Sequence, residues 1–523
     1  MKITISVDPI GFVLGESSIT EFRFAVNPVK VPKFGEYVVA ENRDGKEVLG
    51  IVRNVTNFNR LLEEAIGFDY AIKNINMSKK LLERNEVIIA NAKTLGVIED
   101  REIIPNRIPI KSNSAVKLAN EEILHKIFKN SAGIELGNLV ARENIKVSLD
   151  LNQLILRHFA ILSVTGGGKS NAVCLIANEI VRKFGGSLIL VDPHGEYVNF
   201  VFEDGKESGK NVIPAGIRPE RLEPWEFCSL VGIERDASVQ RMHLERIFTT
   251  VKKERLSGAE FMRRVLEIAE EWIGMQGEIE YVDSTGVVRT ARISREDLNP
   301  LYRVKEYVAT FMRRYEDLLT QRDMLANLKP GYMNIVNLSG FDEEQMRVVV
   351  AYLLRNILIG RINYLRNKNR EYWENACPIV KKPLLTIFEE AHIFAGKGDV
   401  SLWMSRIARE GRKFGIGIGI VSQRPKKISE DILSQCNTKI VLRIVEPNDQ
   451  RYIQQASEQI SEDLLSDIAS LGVGEAVIVG PAIKIPAAVK IRKFQGQYGG
   501  RDVDIVSEWR SALKGSERLE DLL

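Results

Sequence analysis

Residues 159–171 read FAILSVTGGGKSN. Four apolar residues, Phe159 to Leu162, run into a three-glycine loop that ends in Lys169 and Ser170. The stretch that follows, NAVCLIANEIVRKF, brings Val173, Ala177, Ile180 and Val181 to one helical face. A strand, a Gly-rich turn and a helix N-terminus let successive backbone N–H groups wrap a β-phosphate, with the helix dipole assisting. Lysine adds a point charge at the outer phosphates, and the serine hydroxyl reaches Mg²⁺. The general pattern G-x-x-x-x-G-K-[ST] has glycine where this chain has Ser163. A small residue can serve there if its φ stays negative. An accidental Gly-rich turn is the competing reading, and lysine, serine and both flanking elements count against it. Thr165, Gly166, Gly167, Gly168, Lys169, Ser170 and Asn171 are therefore the expected nucleotide-binding residues, with Ser170 as a Mg²⁺ ligand.

A second element supplies carboxylates. PLLTIFEEAHIF is an apolar run ending in Glu389 and Glu390. Nucleotide hydrolysis needs one acidic group near the metal and one to polarise the attacking water. Both would stand at a strand's C-terminal end, where α/β sheets bind ligands. Glu390 is the expected general base, and Glu389, in place of the usual Asp, the expected second Mg²⁺ ligand. Gln423, in VSQRP at the end of the next strand, either senses the γ-phosphate or is an ordinary strand-end amide. Asp192 and Glu196, in VDPHGEY, either contact metal, water or a neighbouring subunit, or cap a turn. The run GIGIGI lacks G-x-G-x-x-G spacing and is dismissed as a dinucleotide fingerprint. In SRIAREGRKFG, Arg406, Arg409, Arg412 and Lys413 lie on an expected helix. Arg412, or Arg157 just before the loop strand, is a candidate arginine finger for a neighbouring copy's phosphate.

The surroundings give the domain plan. A chain of 523 residues has room for two to four domains. Short β-rich runs (KITISV, EFRFAV, EYVVAENRDG, EVLGIVRNV) fill residues 1–80 and predict a small barrel, with a hairpin at RDG. A bridging segment, 81–150, carries a helix near EEILHKIF. Residues 151–216 and 330–494 alternate apolar strands with helices, the pattern of an α/β core with a mainly parallel sheet. A mostly helical insertion, 217–329, interrupts it with two amphipathic helices and a hairpin at EIEYVDSTGVVRTA. In the tail, 495–523, DIVSEWRSALKG reads as a docked helix. The net charge of +3, from 73 Lys+Arg against 70 Asp+Glu, sets up no global basic field. Residues 403–451 alone hold ten basic and five acidic side chains, which suits either a phosphate-facing wall or an intersubunit site. The four cysteines form no C-x-x-C pair, which argues against a zinc site or a disulfide framework. No run of ~18 apolar residues predicts a membrane span, and a cytoplasmic protein is expected.

Taken in order, SVTGGGKSN, VDPHGEY, LLTIFEEAH and REGRKFGIGIGIVSQRP resemble the HerA branch of the HerA/FtsK superfamily of RecA-like motor ATPases. GFVLGESSITEFRFAV resembles the HAS barrel that precedes the motor in that branch. The resemblance implies an α/β, RecA-like P-loop ATPase core with an N-terminal small β-barrel and a helical insertion. It also implies a homo-hexamer that uses ATP and Mg²⁺ to move along double-stranded DNA, and a NurA-type nuclease partner in resecting DNA ends for repair. By motif match it makes Lys169 and Ser170 the phosphate and Mg²⁺ residues and Glu389 and Glu390 the acidic pair. It makes Gln423 the sensor, and Arg412 or Arg157 the arginine acting in trans. A DNA pump for segregation or conjugation and a ring ATPase acting on protein remain the alternatives at this point.

Overall fold

The computed structural model describes residues 8–59, 86–99 and 102–499, apart from 235, 276, 284, 320–322, 397, 458–459 and 461. The expected strand KITISV and the expected tail helix lie outside the described residues. Among the described residues, those up to 188 together with 350–493 form one body, and 189–349 with 494–499 form a second. In chain order the strands are β1 (Gly11–Ser17), β2 (Glu21–Val26), β3 (Tyr37–Glu41), β4 (Glu47–Asn59), β5 (Glu86–Glu99), β6 (Glu102–Ile104), β7 (Ala115–Leu118), β8 (Gly133–Leu139), β9 (Lys146–Asp150) and β10 (Phe159–Leu162). After these come β11 (Ser187–Asp192), β12 (Lys210–Pro214), β13 (Glu278–Val282), β14 (Val288–Arg292), β15 (Met333–Asn337), β16 (Leu384–Phe388), β17 (Ile416–Ser422), β18 (Thr438–Leu442), β19 (Glu475–Val479) and β20 (Ala487–Ile491).

In the first body, β2-β1-β7-β3-β4-β5 form a sheet that closes through β2–β5, and β6 adds to the edge of β5. The alternation in EFRFAV turns Phe22, Phe24 and Val26 inward against Val38, Val48, Val52, Ala90 and Val116. At RDG the β3–β4 turn is held by Asn42 Oδ1, which accepts from the N–H groups of Asp44 and Lys46. Irregularities at Leu49/Gly50 and Val52/Asn54 bend β4 far enough for six strands to close. The barrel is fastened to the rest of this body by buried polar contacts. The Tyr37 hydroxyl donates to the Pro486 carbonyl at 3.0 Å, and Arg53 pairs with Asp467 at 2.9 Å.

The second sheet of this body runs β16-β17-β10-β18-β19-β20-β8-β9. The strands β16, β17, β10 and β18 are mutually parallel. From β18 outward every pairing is antiparallel. The expectation of a mainly parallel sheet therefore describes the inner strands only. The hairpin β8–β9 and the barrel strands β5–β7 fall in the segment read as bridging. The GIGIGI run is β17, an inner strand as expected. A Cβ at Gly419 would lie 2.4 Å from the Phe159 ring and one at Gly417 2.7 Å from the Ile155 carbonyl oxygen. The glycines let β10 and the helix before it approach closely.

In the second body β12 and β15 pair in parallel, and the insertion supplies helices Ser238–Lys252, Gly258–Met275 and Arg295–Tyr315 with the hairpin β13–β14. The expected faces are the buried ones: Phe261, Val265, Ala269 and Trp272 on one helix, Val304, Val308, Phe311 and Tyr315 on another. Phe227, Phe248 and Phe261 meet with ring centroids 4.8–6.0 Å apart. Among the described residues one helix, Glu343–Leu365, is long and apolar enough to cross a membrane by composition, but its apolar window is 61% buried. Arg361 on this helix donates to the carbonyls of Val380 and Phe414.

At the entry to β10, His158 adopts a left-handed backbone (φ 57) that only a minority of non-glycine residues take. Its ring is buried between two elements. Nδ1 accepts from the Ile418 N–H of β17 at 3.1 Å, and Nε2 donates to the Ala408 carbonyl at 2.9 Å. Burial pushes the imidazole pKa down from 6.5 to about 4, against the smaller opposing effect of the Ala408 carbonyl. The folded chain thus stays unprotonated where the unfolded chain takes up a proton. This contribution to stability is complete above pH 6.5 and falls as pH drops towards 4, by on the order of 3 kcal/mol in total. Melting temperature measured from pH 7 to 4.5 should fall less steeply in His158→Asn than in the wild type. Equal slopes would remove His158 as the cause.

Candidate nucleotide site

Three loops leave the C-terminal ends of adjacent parallel strands. Leu162 of β10 is in register with Ser422 of β17, and Phe388 of β16 with Ile420. The loop 163–168, Gln423 and the pair Glu389–Glu390 therefore follow strand ends only two residues out of step. This is the edge at which α/β sheets bind ligands.

In the loop, Gly166 (φ 75) and Gly168 (φ 104) take positive φ, and a helix, Lys169–Asn178, begins directly after them. The N–H of Gly167 is used internally, donating to the Val164 carbonyl at 3.2 Å. Among the described residues no backbone acceptor is recorded for the N–H groups of Gly166 and Gly168. The first-turn N–H groups of the helix have no intrahelical acceptor by construction. This row of donors at the positive end of a helix fits a phosphate anion. Lys169 lies along the loop, its ammonium 3.4 Å from the Val164 carbonyl.

The structure gives a physical reason for serine at 163. Its side chain, 1% exposed, lies beneath the loop and donates to the Val164 carbonyl at 2.8 Å. A Cβ on Gly167 would come within 2.0 Å of its Oγ. Where the general pattern leaves an empty position, this chain fills it with a hydroxyl, and glycine at 167 leaves room for that hydroxyl. Sequence reasoning missed this coupling, because the two positions are four residues apart and only the turn brings them together.

Glu389 is 7% exposed. Glu390 is in the left-handed region (φ 44, ψ 46), a conformation that costs a non-glycine residue on the order of 1 kcal/mol or more. It turns the Glu390 carboxylate back towards His392, whose Nδ1 lies 3.1 Å from Oε2. Gln423 Oε1 accepts from the Thr165 hydroxyl of the loop at 2.5 Å. The contact ties the expected sensor to the expected phosphate binder. Among the described residues no cluster of three or more His, Cys, Asp or Glu could hold a metal alone. The oxygen donors of Ser170 and Glu389 are of the type Mg²⁺ takes together with phosphate oxygens and water.

Asn171 directs its amide to the Arg492 carbonyl at 2.9 Å. Arg157 ends the helix Leu151–Leu156 ahead of β10, and Arg412 lies in the turn Gly411–Phe414 ahead of β17. Both side chains are exposed at the N-terminal ends of the strands, opposite the loop of the same chain. Asp192, in the second body, is buried and accepts from the N–H groups of Gly195, Glu196 and Tyr197. Of its two readings the structure shows the turn cap. Burial raises its carboxyl pKa, and those N–H groups partly offset the rise.

Strand, Gly-rich loop, helix and a carboxylate pair two strands away at the same sheet edge define a P-loop nucleoside triphosphatase. Three family models cover most of the chain: the HAS barrel domain at residues 10–102, the central domain of helicase HerA at 134–357 and the helicase HerA-like C-terminal domain at 377–491. The chain is 42% identical to the DNA double-strand break repair helicase HerA of Pyrococcus furiosus, over 96% of each chain. It is 40% identical to a probable protein of that name from Methanocaldococcus jannaschii, over 95% of this chain and 98% of that one. Solved structures with a similar fold include VirB4 of Thermoanaerobacter pseudethanolicus (14% identity, 70% of this chain and 97% of that one, TM-score 0.49). The plasmid coupling protein TrwB, solved with the ATP analogue ADPNP, is another (14%, 73% and 94%, 0.48). The chain belongs to the HerA helicase family.

The packing beneath the loop yields a test. Gly167→Ala should weaken nucleotide binding at least tenfold, because Cβ and the Ser163 hydroxyl cannot share one space. Adding Ser163→Ala should recover part of the loss, as read by titration with a fluorescent ATP analogue. A double variant as weak as the single one would show that the clash lies elsewhere.

Proposed function

We propose that this chain is an ATP-driven translocase and helicase of double-stranded DNA that works at DNA ends in recombinational repair. The observation that carries the reading is the joining of a phosphate loop and a carboxylate pair at one sheet edge, in a chain that matches repair helicases of the HerA family along nearly its whole length. Lys169 and the N–H groups of the loop hold the phosphates. Ser170 and Glu389 hold Mg²⁺, which neutralises phosphate charge when bound. Glu390 polarises the attacking water, and Gln423 reports the state of the loop through Thr165. In this reading the protein is a cytoplasmic homo-hexamer, DNA runs through its centre, and a NurA-type nuclease degrades the ends it opens.

Steady-state ATP hydrolysis with and without linear double-stranded DNA tests this directly. Strong stimulation by DNA is expected, with Lys169→Ala inactive and Glu390→Gln binding ATP but turning over at least a hundredfold more slowly. Hydrolysis indifferent to DNA would overturn the DNA-motor reading.

Arg157 and Arg412 cannot serve the loop of their own chain from the opposite strand ends. In this reading one of them completes the site of an adjacent copy. Mixing Arg412→Ala chains with Lys169→Ala chains should restore hydrolysis that neither shows alone, since some mixed contacts keep both groups. Mixed assemblies without activity would exclude Arg412.

A further inference from the structure

His392 has no role in the reading above. It is 14% exposed on its side chain, as is Glu390, and it stands where two strand ends meet. Its Nδ1 lies 3.1 Å from Glu390 Oε2 and 3.5 Å from the Ser422 hydroxyl oxygen. Ser422 is itself fixed, since its hydroxyl oxygen accepts from the Arg424 N–H at 3.0 Å. The next residue, Gln423, holds Thr165 of the phosphate loop. One imidazole edge therefore faces both the end of the carboxylate strand and the end of the sensor strand.

We propose that His392 is a positioning residue. In the structure the two atoms, His392 Nδ1 and Glu390 Oε2, stand at ion-pair distance without hydrogen-bond alignment. When the site is engaged, a small rotation brings Nδ1–H to donate to Glu390 Oε2, which fixes the carboxylate so that its other oxygen is presented to the attacking water. The inference rests on Glu390 being the general base. Two observations favour a positioning role over simple packing. The backbone at Glu390 is held in the left-handed region, which surrounding structure must impose and which swings the carboxylate back over the short turn Ala391–Ile393. In addition, the contact runs through a named nitrogen to a named oxygen. A glutamate has three rotatable side-chain bonds, and a general base acts only within hydrogen-bond reach of its water. Fixing one oxygen removes most of that freedom and leaves the second oxygen to act.

The atom specificity allows a decisive comparison. In His392→Asn the side-chain N–H can occupy the place of Nδ1–H. In His392→Gln the amide reaches the place of Nε2, and His392→Leu keeps bulk without a donor. Turnover under saturating ATP, KM and binding of a fluorescent ATP analogue would be measured for all three beside the wild type. Expected is a kcat within about threefold of wild type for His392→Asn and at least about tenfold lower for His392→Gln and His392→Leu, with analogue binding unchanged throughout. A wild-type chain without turnover would overturn the hydrolysis reading and this proposal with it. A wild-type chain with turnover would overturn this proposal alone if all three variants lost kcat equally, if none lost it, or if analogue binding fell in parallel.

Discussion

The parallel bonding of β10 to β17 on one side and β18 on the other is the constraint on which the rest of the site depends. The strand has only four residues, all buried, and it is paired along both edges. A segment so held has no freedom to shift, so the turn that leaves it starts from a fixed point and in a fixed direction. The near approach of its neighbours follows from side chains that are missing. Phe159 fills the space that a side chain on Gly419 would take, and His158 fastens the strand's entry to β17. With the strand held, small hydroxyls complete the geometry beyond it: Ser163 beneath the loop, Thr165 towards Gln423 and Ser422 towards His392.

Much of this could be read from the sequence, for reasons that differ by element. The inner strands are short, mostly apolar runs because both their faces are covered, so β10, β11, β15, β16, β17 and β18 stand out. The helices of the insertion announce themselves by apolar residues three and four apart. The strands that escaped reading are β1, β5 to β9, β12, β19 and β20, and all of them except β12 lie in antiparallel pairs. In β4–β5 and β8–β9 the alternation is interrupted by register shifts at Val52/Asn54 and Glu135/Gly137. A period of two broken by one residue changes face midway and no longer registers as a pattern.

The site divides along the same line. Lys169, Ser170, Glu389 and Glu390 belong to patterns whose spacing is set by local backbone geometry, and the structure places all four at one sheet edge. His392 had no such signal. It lies two residues from Glu390, a separation at which helical side chains point apart, and only the left-handed turn brings the pair into contact. The role of Ser163 was equally hidden, since the sequence shows a departure from a pattern while the compensation lies in three dimensions.

The inner strands have two ends with different equipment. One end carries the phosphate loop, the carboxylates and Gln423, and the other exposes Arg157 and Arg412. If copies meet head to tail, so that an arginine of one reaches the phosphates of the next, the contact repeats until it closes or runs on as a filament. The number of subunits is then fixed by a single angle between neighbours. In a closed ring of that kind, substitutions at the contact would change the width of the opening while leaving every chemical group in place.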